Sequence, residues 1–395
     1  MSKWKECKLG DVVNTNLNSI SLNYPYSNIL YLDTGSITSG KIESYQTLAL
    51  NDAPSRAKRL VKDGDIVYST VRPIQRHYGF IKSPPPNLVV STGFCVIETV
   101  KELADPMFIY NLLASNDVVE LLDTIAEGST SAYPSLKPSD IENLDILLPP
   151  LPEQKAIASV LCGLDDKIDL LHRQNETLEA MAEALFRQWF VEDAKDDWEK
   201  VKLGDILETI ETGSRPKGGI DPNLRDGIPS IGAESINGIG IYDFSKTKYI
   251  PREFFENMRR GVMKSYDVLI YKDGAYVGRK GMFGNGFPFT ECVINEHIFI
   301  LRTNAKASQI FLYFLLQEYD LAQLNSNSAQ PGLNQQAMNL FEVVLPPEKV
   351  IKRFEQLTKQ LIDKLFFNAQ QIHTLEKLHN TLLPKLMSGE VRVIA

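Results

Sequence analysis

Apolar residues return every four and then three positions from Ile157 onward: Ile157, Leu161, Leu164, Ile168, Leu171, Asn175, Leu178, Ala182, Leu185 and Trp189. The same beat sounds 197 residues later, at Phe354, Thr358, Leu361, Leu365, Asn368, Ile372, Leu375, His379, Leu382 and Leu386. A seven-residue period with two mostly apolar positions is the pattern of a coiled coil. Each stretch therefore predicts a long helix, the first spanning roughly 50 Å at ~1.5 Å per residue. Two such stripes in one chain are expected to bury against each other as an antiparallel pair. Asn175, Asn368 and His379 would then fix its register or mark where partner helices join. The flanking Leu, Met and Phe residues widen the apolar band beyond what two helices need, which predicts further partner helices.

Outside these stretches the texture changes. Residues 1–147 and 198–345 carry short β-branched and aromatic runs, such as NILYLD, DIVYSTV and NLVVSTGFCVIE, bounded by Gly, Pro, Asn and Ser. Such runs predict mixed sheet with turns, with one amphipathic helix per half near 106–123 and 307–325. Both sheet-like halves end in Leu-Pro-Pro, and Pro152 suits the first turn of the helix that follows.

The two halves repeat each other. WKECKLGDVV opens the first and WEKVKLGDIL the second, at an offset of 194. KDGDIVYS (62–69) faces KSYDVLIY (264–271), and MFIYNLL (107–113) faces QIFLYFLL (309–316), at 202. YPSL (133–136) then meets QPGL (330–333) at 197, which holds to the end. A drifting offset is the residue of divergent duplication. It divides the chain into a first domain (1–150), a first helix (151–197), a second domain (198–346) and a second helix with its tail (347–395).

Net charge is −8 over 395 residues. By segment it is −4 for 1–150, −6 for 151–197, −1 for 198–346 and +3 for 347–395. Most of the negative excess thus sits in the first helix, and a near-neutral domain can still present a basic face to nucleic acid. The four cysteines are scattered, with no metal-ligand spacing, and no apolar run is long enough for a membrane span. Together they predict a reduced, cytoplasmic protein.

Each domain holds a matching basic loop. In the first, Arg56, Lys58, Arg59 and Lys62 precede a strand, and Arg72, Arg76 and His77 follow it. In the second, YKDGAYVGRKGMFGNG supplies Lys272, Arg279 and Lys280, with His77 aligned to Arg279 and Gly79 to Gly281. Arg215 and Lys217 lie on another glycine-containing loop. GSTSAYPSLK (128–137) and NSNSAQPGLN (325–334) are hydroxyl- and amide-rich loops before each final strand, offering Ser129, Thr130, Asn327 and Ser328. These residue types supply most phosphate and base-edge contacts to DNA. As solvated charges or as a polar turn capping a helix, the same residues would carry no recognition.

PPLPEQKAIASVL with its helix, and PPEKVIKRFEQL through LMSGEV, resemble the conserved regions of specificity subunits of type I restriction–modification systems, and the resemblance covers essentially the whole chain. It implies two α+β target-recognition domains, each reading one half of a split DNA site, with the two helices as an antiparallel coiled coil. It also implies that the helices dock two methyltransferase subunits, through which restriction–translocase subunits join. The seam residues from Ile157 to Trp189 and from Leu361 to Leu386 then become the coil and partner interface. The chain itself is expected to be non-catalytic and free of cofactor, with S-adenosylmethionine, ATP and Mg²⁺ belonging to its partners. Val350 stands where Glu153 stands in the first copy, which bears on whether both ends grip a partner equally. The two domains share little beyond framework residues, so the half-sites are expected to differ.

Enzyme motifs fail on inspection. NYPY (23–26) lacks the second Pro of an adenine-methyltransferase loop. Asp145 with Glu153 and Lys155 imitates a nuclease set, yet Glu153 falls in a first helical turn, where negative charge is favoured anyway. GAYVGRKGMFGNG lacks a Gly-Lys-Ser/Thr ending. Two other readings stand beside the type I one: a specificity subunit serving a fused methyltransferase–nuclease, and a coiled-coil scaffold for proteins.

Overall fold

A computed structural model describes residues 4–129, 133–324 and 332–393. The chain forms two compact units, one of residues 1–166 with 376–395 and the other of 167–375. Each unit takes a part of both long helices, Leu151–Arg187 and Glu348–Met387. The mixed domains and paired helices are those the sequence predicts. A single π-helical turn, Gln188–Glu192, ends the first helix.

In the first unit, two four-stranded sheets form the domain. One runs Val13–Thr15, Phe94–Thr99, Ile66–Ser69, Tyr78–Phe80, and the other Gln46–Ala49, Asn28–Leu32, Leu88–Ser91, Ala57–Leu60. The second unit has a five-stranded sheet, Leu207–Thr212, Ile298–Thr303, Val268–Tyr271, Lys280–Met282, Gly238–Ile239, and a three-stranded one, Lys248–Ile250, Ile228–Ile231, Val293–Ile294. The duplication read from sequence is also a duplication of strand register. Val67 pairs Gly79 in the first copy and Leu269 pairs Gly281 in the second. Both glycines sit where a Cβ would collide with an isoleucine from a neighbouring segment, Ile37 at 2.2 Å and Ile236 at 2.5 Å.

The Lys-Leu-Gly-Asp motif is a structural clasp. Asp11 accepts the Lys8 backbone N–H at 2.9 Å, and Asp205 accepts that of Lys202 at 3.1 Å. Leu9 and Leu203 are fully buried, and their N–H groups donate to the carbonyls of Leu144 and Phe341. In this way the opening strand of each domain is tied to the strand that leads into its helix, Lys5–Lys8 to Asp145–Leu148 and Glu199–Lys202 to Glu342–Leu345.

Two expectations need correction. The predicted helix 106–123 is two helices, Pro106–Ala114 and Asn116–Glu127, broken where Ser115 turns extended and its hydroxyl bonds the Leu112 carbonyl. Its counterpart is Gln309–Gln317 followed by a short 3-10 turn, Leu321–Leu324. Their caps, Asp105 and Ser308, are 203 apart, one more than the apolar pattern gave.

The helix seam is buried or half-buried at every heptad position named above. In the second unit Leu178, Leu185 and Trp189 share one core with Phe354, Leu361 and Leu365, and the Asn368 side-chain amide donates to Asn175 Oδ1 at 2.9 Å. In the first unit Ile157 and Leu161 pack with Leu382 and Leu386, and His379 lies 3.5 Å from Asp165. Leu164, Ile168, Leu171, Ile372 and Leu375 complete the stripes. Both units thus pair the helices antiparallel.

Glu153 and Gln154 of the Leu-Pro-Glu-Gln phrase face inward. Gln154 is 1% exposed, accepts the Asp105 N–H at 2.8 Å and donates to the Pro149 carbonyl at 2.8 Å. Glu153 accepts the Trp4 indole N–H at 3.3 Å and a two-pronged bond from Arg392, Nη2 to Oε2 at 2.7 Å. The Arg392 guanidinium also lies 5.4 Å from the Trp4 ring centre. With Val350 at the equivalent position, the second copy has no such carboxylate. An open pocket of about 450 Å³ lies there, lined by Trp198, Pro346, Pro347 and Val350 together with the charged Glu199, Lys306 and Glu348.

Asp65 and Asp267 occupy equivalent buried positions, each accepting a backbone N–H three residues earlier, from Lys62 and Lys264, at 2.8 Å. Asp267 is further held by the Arg302 fork, at 2.7 and 2.6 Å. Burial pushes the Asp65 carboxyl from the usual 3.8 up to about 6, opposed by the Lys62 backbone bond. The folded first domain therefore keeps a proton that the unfolded chain releases. Its stability is expected to be highest below about pH 4 for this group and to fall as pH rises through about 6. Urea midpoints across that window, compared between wild type and Asp65→Asn, check it: the variant should lose the slope.

Candidate nucleic-acid interface

In both copies two loops distant in sequence are docked together. In the first, Leu136 N–H donates to the Thr70 carbonyl at 2.7 Å and Val71 bridges Ser135. In the second, Leu333 N–H donates to the Lys272 carbonyl at 2.6 Å and Asp273 bridges Gly332. Each basic loop thus shares one surface with the polar loop that precedes the last strand.

The sequence-predicted residues divide on this surface. Arg72 is exposed, held left-handed at φ 47°, with its guanidinium 5.9 Å from the centre of the exposed Tyr133 ring. Arg279 lies 4.0 Å from the centre of the Tyr276 ring, itself 56% exposed. At 4.0 Å the Tyr276 ring supports the Arg279 guanidinium while leaving its edge donors for a ligand, whereas at 5.9 Å Tyr133 makes only the outermost contact of this kind with Arg72. Arg76 donates to Asn116 Oδ1 at 2.9 Å, and His77 Nδ1 donates to the Ile37 carbonyl at 2.6 Å, so both are anchored within the loop. Lys280 points inward, donating to the Tyr319 carbonyl at 3.0 Å, and burial lowers its pKa. Lys272 is mostly covered, with its ammonium 5.4 Å from the centre of the Phe299 ring.

Arg56 and Lys58 are exposed at the start of strand Ala57–Leu60, whereas Arg59 is half-buried within it. Arg215 pairs with Glu296 at 3.0 Å, and Lys217 is exposed beside two left-handed glycines, Gly218 and Gly219. Ser129 Oγ accepts the Ser135 N–H at 3.3 Å, bracing its own turn. Thr130, Asn327 and Ser328 lie outside the described residues.

Two pairs escaped the sequence reading. Tyr133 and Tyr276 are the rings on which the two arginines rest. Arg259 and Arg260, both exposed, precede Gly261, where a Cβ would come 2.7 Å from Gly213 Cα. That approach joins the Arg259–Gly261 segment to the loop bearing Arg215 and Lys217. The bridge Val262 to Val293 repeats the pairing of Leu60 with Val89. Carrying the 202 offset through this ladder puts Arg260 at the position of Lys58, a match the sequence already contained.

A family profile described as the type I restriction modification DNA specificity domain matches residues 1–180 and again 195–377. The chain belongs to this family. Specificity domains of type I systems make DNA recognition, rather than catalysis, the work of this chain. A relative from Haemophilus influenzae, the specificity subunit of the type I restriction enzyme HindI, is 25% identical over 99% of this chain and 100% of its own length. The specificity subunit of the type I restriction enzyme MjaIX from Methanocaldococcus jannaschii is 27% identical over 85% of this chain and 79% of its own. The crystal structure of a type I restriction–modification S subunit from M. genitalium shares the fold at 17% identity, with a TM-score of 0.61 over 97% of this chain and 96% of that one. Among the described residues, no helix of this specificity chain is long and apolar enough to cross a membrane.

Proposed function

We propose that this chain is the DNA-reading subunit of a type I restriction–modification complex and that its two domains read the two different halves of a split site. The observation that carries this reading is the repeated docking of a basic loop on a polar loop, with an arginine–tyrosine pair set at different positions of that frame in the two copies: Arg72 beside Tyr133 in one, and in the other Arg279, where the first copy has His77, on Tyr276. A shared frame with different readers suits an asymmetric sequence. The stacked arginines would read base edges in the major groove, and exposed Lys58, Lys217, Arg259 and Arg260 would hold phosphates.

The antiparallel helices would fix the gap between the half-sites and dock two methyltransferase subunits. Exposed Leu170, Met181, Leu357, Phe367 and Leu378 supply apolar surface for helices of those partners. Restriction–translocase subunits would join through the methyltransferases. Methyl transfer to a flipped adenine, with its S-adenosylmethionine, and cleavage with ATP and Mg²⁺, would belong to those subunits in the cytoplasm.

Co-expression with the methyltransferase encoded beside it, followed by mapping of N6-methyladenine across the host genome, tests the reading. One split, asymmetric motif with a constant gap, absent when this chain is omitted, is the expected result. An active methyltransferase complex that deposits no such motif would overturn it.

A further inference from the structure

The loop that leads into the central strand of each domain is left-handed at one position, Gly64 at φ 90° in the first copy and Tyr266 at φ 67° in the second. Glycine takes this conformation freely, whereas a tyrosine is strained there and persists only where its surroundings hold it. A second left-handed position follows in each copy, Ser83 and Asn285, and its backbone is held alike: Ser83 N–H donates to Asp63 Oδ1 at 2.7 Å, and Asn285 N–H to Ser265 Oγ at 3.1 Å. The backbone frame is therefore shared, and the side chains are not.

In the second copy those side chains reach the long helix. The Tyr266 hydroxyl donates to Asp363, and Lys359 Nζ donates to the Tyr266 oxygen at 2.8 Å and to Asp363 Oδ2 at 2.7 Å. Asn285 Nδ2 donates to Asp363 Oδ1 at 2.8 Å, and Gln370 donates back to the Asn285 carbonyl at 2.8 Å. The Tyr266 ring also packs edge-on against Phe366, with centroids 5.7 Å apart. In the first copy the corresponding residues are Gly64, Ser83, Cys162 and Asp166. The aspartate is kept, but the tyrosine and lysine that meet it are missing. The backbone bond is the same in both copies, Tyr266 N–H to the Phe283 carbonyl at 2.8 Å and Gly64 N–H to that of Ile81 at 2.9 Å, so a glycine would serve the strand pairing without strain; what the tyrosine side chain adds is a three-way polar junction to the helix.

We propose that Tyr266, Asp363 and Lys359 form a latch that fixes the angle of the second recognition domain on its helix, and so sets the gap at which the second half-site is read. These are positioning residues, and the inference rests on the split-site reading above. Loosening the latch should relax gap length and leave base recognition intact.

The assembled methyltransferase complex is the material for the test, with duplexes carrying the natural gap, a gap one base pair longer or shorter, or one altered base in the second half-site. Tyr266→Phe keeps the ring packing and deletes the hydroxyl, and Asp363→Asn removes the charge from a part-exposed helix position. Because misplacement by an ångström can cost ~100-fold in rate, each variant should lower the ratio of natural-gap to altered-gap methylation by about tenfold. Discrimination against the altered base should stay within about twofold of wild type. A gap ratio unchanged in both variants, or base discrimination lost in step with gap discrimination, overturns the proposal. Failure of the split-site reading would show separately, as a wild-type complex indifferent to both half-sites.

Discussion

Arg279→Ala in the assembled complex is expected to relax recognition at one position of the second half-site and to weaken specific binding by about 1–3 kcal/mol, roughly 5- to 150-fold. The guanidinium lies against Tyr276, so its plane is fixed before DNA arrives and little side-chain entropy is lost on binding. Its fork can still offer two parallel donors to an acceptor pair such as guanine O6 and N7. Arg279→Lys should rescue little, since an ammonium neither stacks flat nor donates as a fork. Exposed Arg259 and Arg260 should behave otherwise. Replacing either with Ala should weaken all sequences alike and reduce the slope of log affinity against log salt by about one. Equilibrium titration against a panel of single-base variants at several salt concentrations separates the two behaviours. Uniform weakening by Arg279→Ala, with unchanged preferences, would make it a phosphate contact and move base reading elsewhere.

The largest effect on stability is expected from Gly213→Ala. A Cβ there would lie 1.9 Å from the Ile294 carbonyl oxygen and 2.5 Å from both the Ile294 carbonyl carbon and the Asn295 carbonyl oxygen. All three obstacles are backbone, so no rotamer change relieves them and one strand end must move. We expect a loss of about 4 kcal/mol or more, beyond the usual 1–3 for overpacking. Thermal or urea unfolding of the complex checks it. Because Gly213 is also where the Arg259–Gly261 segment meets the loop bearing Arg215 and Lys217, DNA affinity of the surviving folded fraction should also drop. Gly218→Ala, a few residues along the same loop, meets open space but sits at φ 93°, so it shows the smaller cost of backbone strain without a packing clash.

The sequence announced the duplication because the repeated words are those the frame cannot change. Leu9 and Leu203 are cores of the clasp, and Gly79 and Gly281 make room for Ile37 and Ile236. The heptad stripe was legible for a similar reason, since a period of 3.5 survives substitution of any one apolar residue by another. Side-chain destinations were harder to see. Lys280 reads as a surface cation until the fold aims it at the Tyr319 carbonyl, and Glu153 with Gln154 reads as a grip on a partner until both turn inward. Nothing in the letter at position 266 signals a left-handed backbone, because tyrosine rarely adopts one and the compensating Asp363 lies 97 residues away. Arg260 was missed for want of a strand register, which apolar pattern alone does not supply across a bulged and irregular edge.

The Glu153–Arg392–Trp4 junction has a consequence for the order of synthesis. One unit is a continuous stretch of chain, 167–375, while the other needs residues 376–395 to complete what residues 1–166 begin. On a ribosome, the domain made first must therefore wait, with Glu153 and the Trp4 indole lacking Arg392, until residues 376–395 have emerged. The domain made later can close on its own helices as soon as Leu375 is clear. Released chains truncated between Leu375 and Arg392 should accordingly carry a protease-resistant second unit and a protease-sensitive first one, an inversion of the usual N-terminus-first rule.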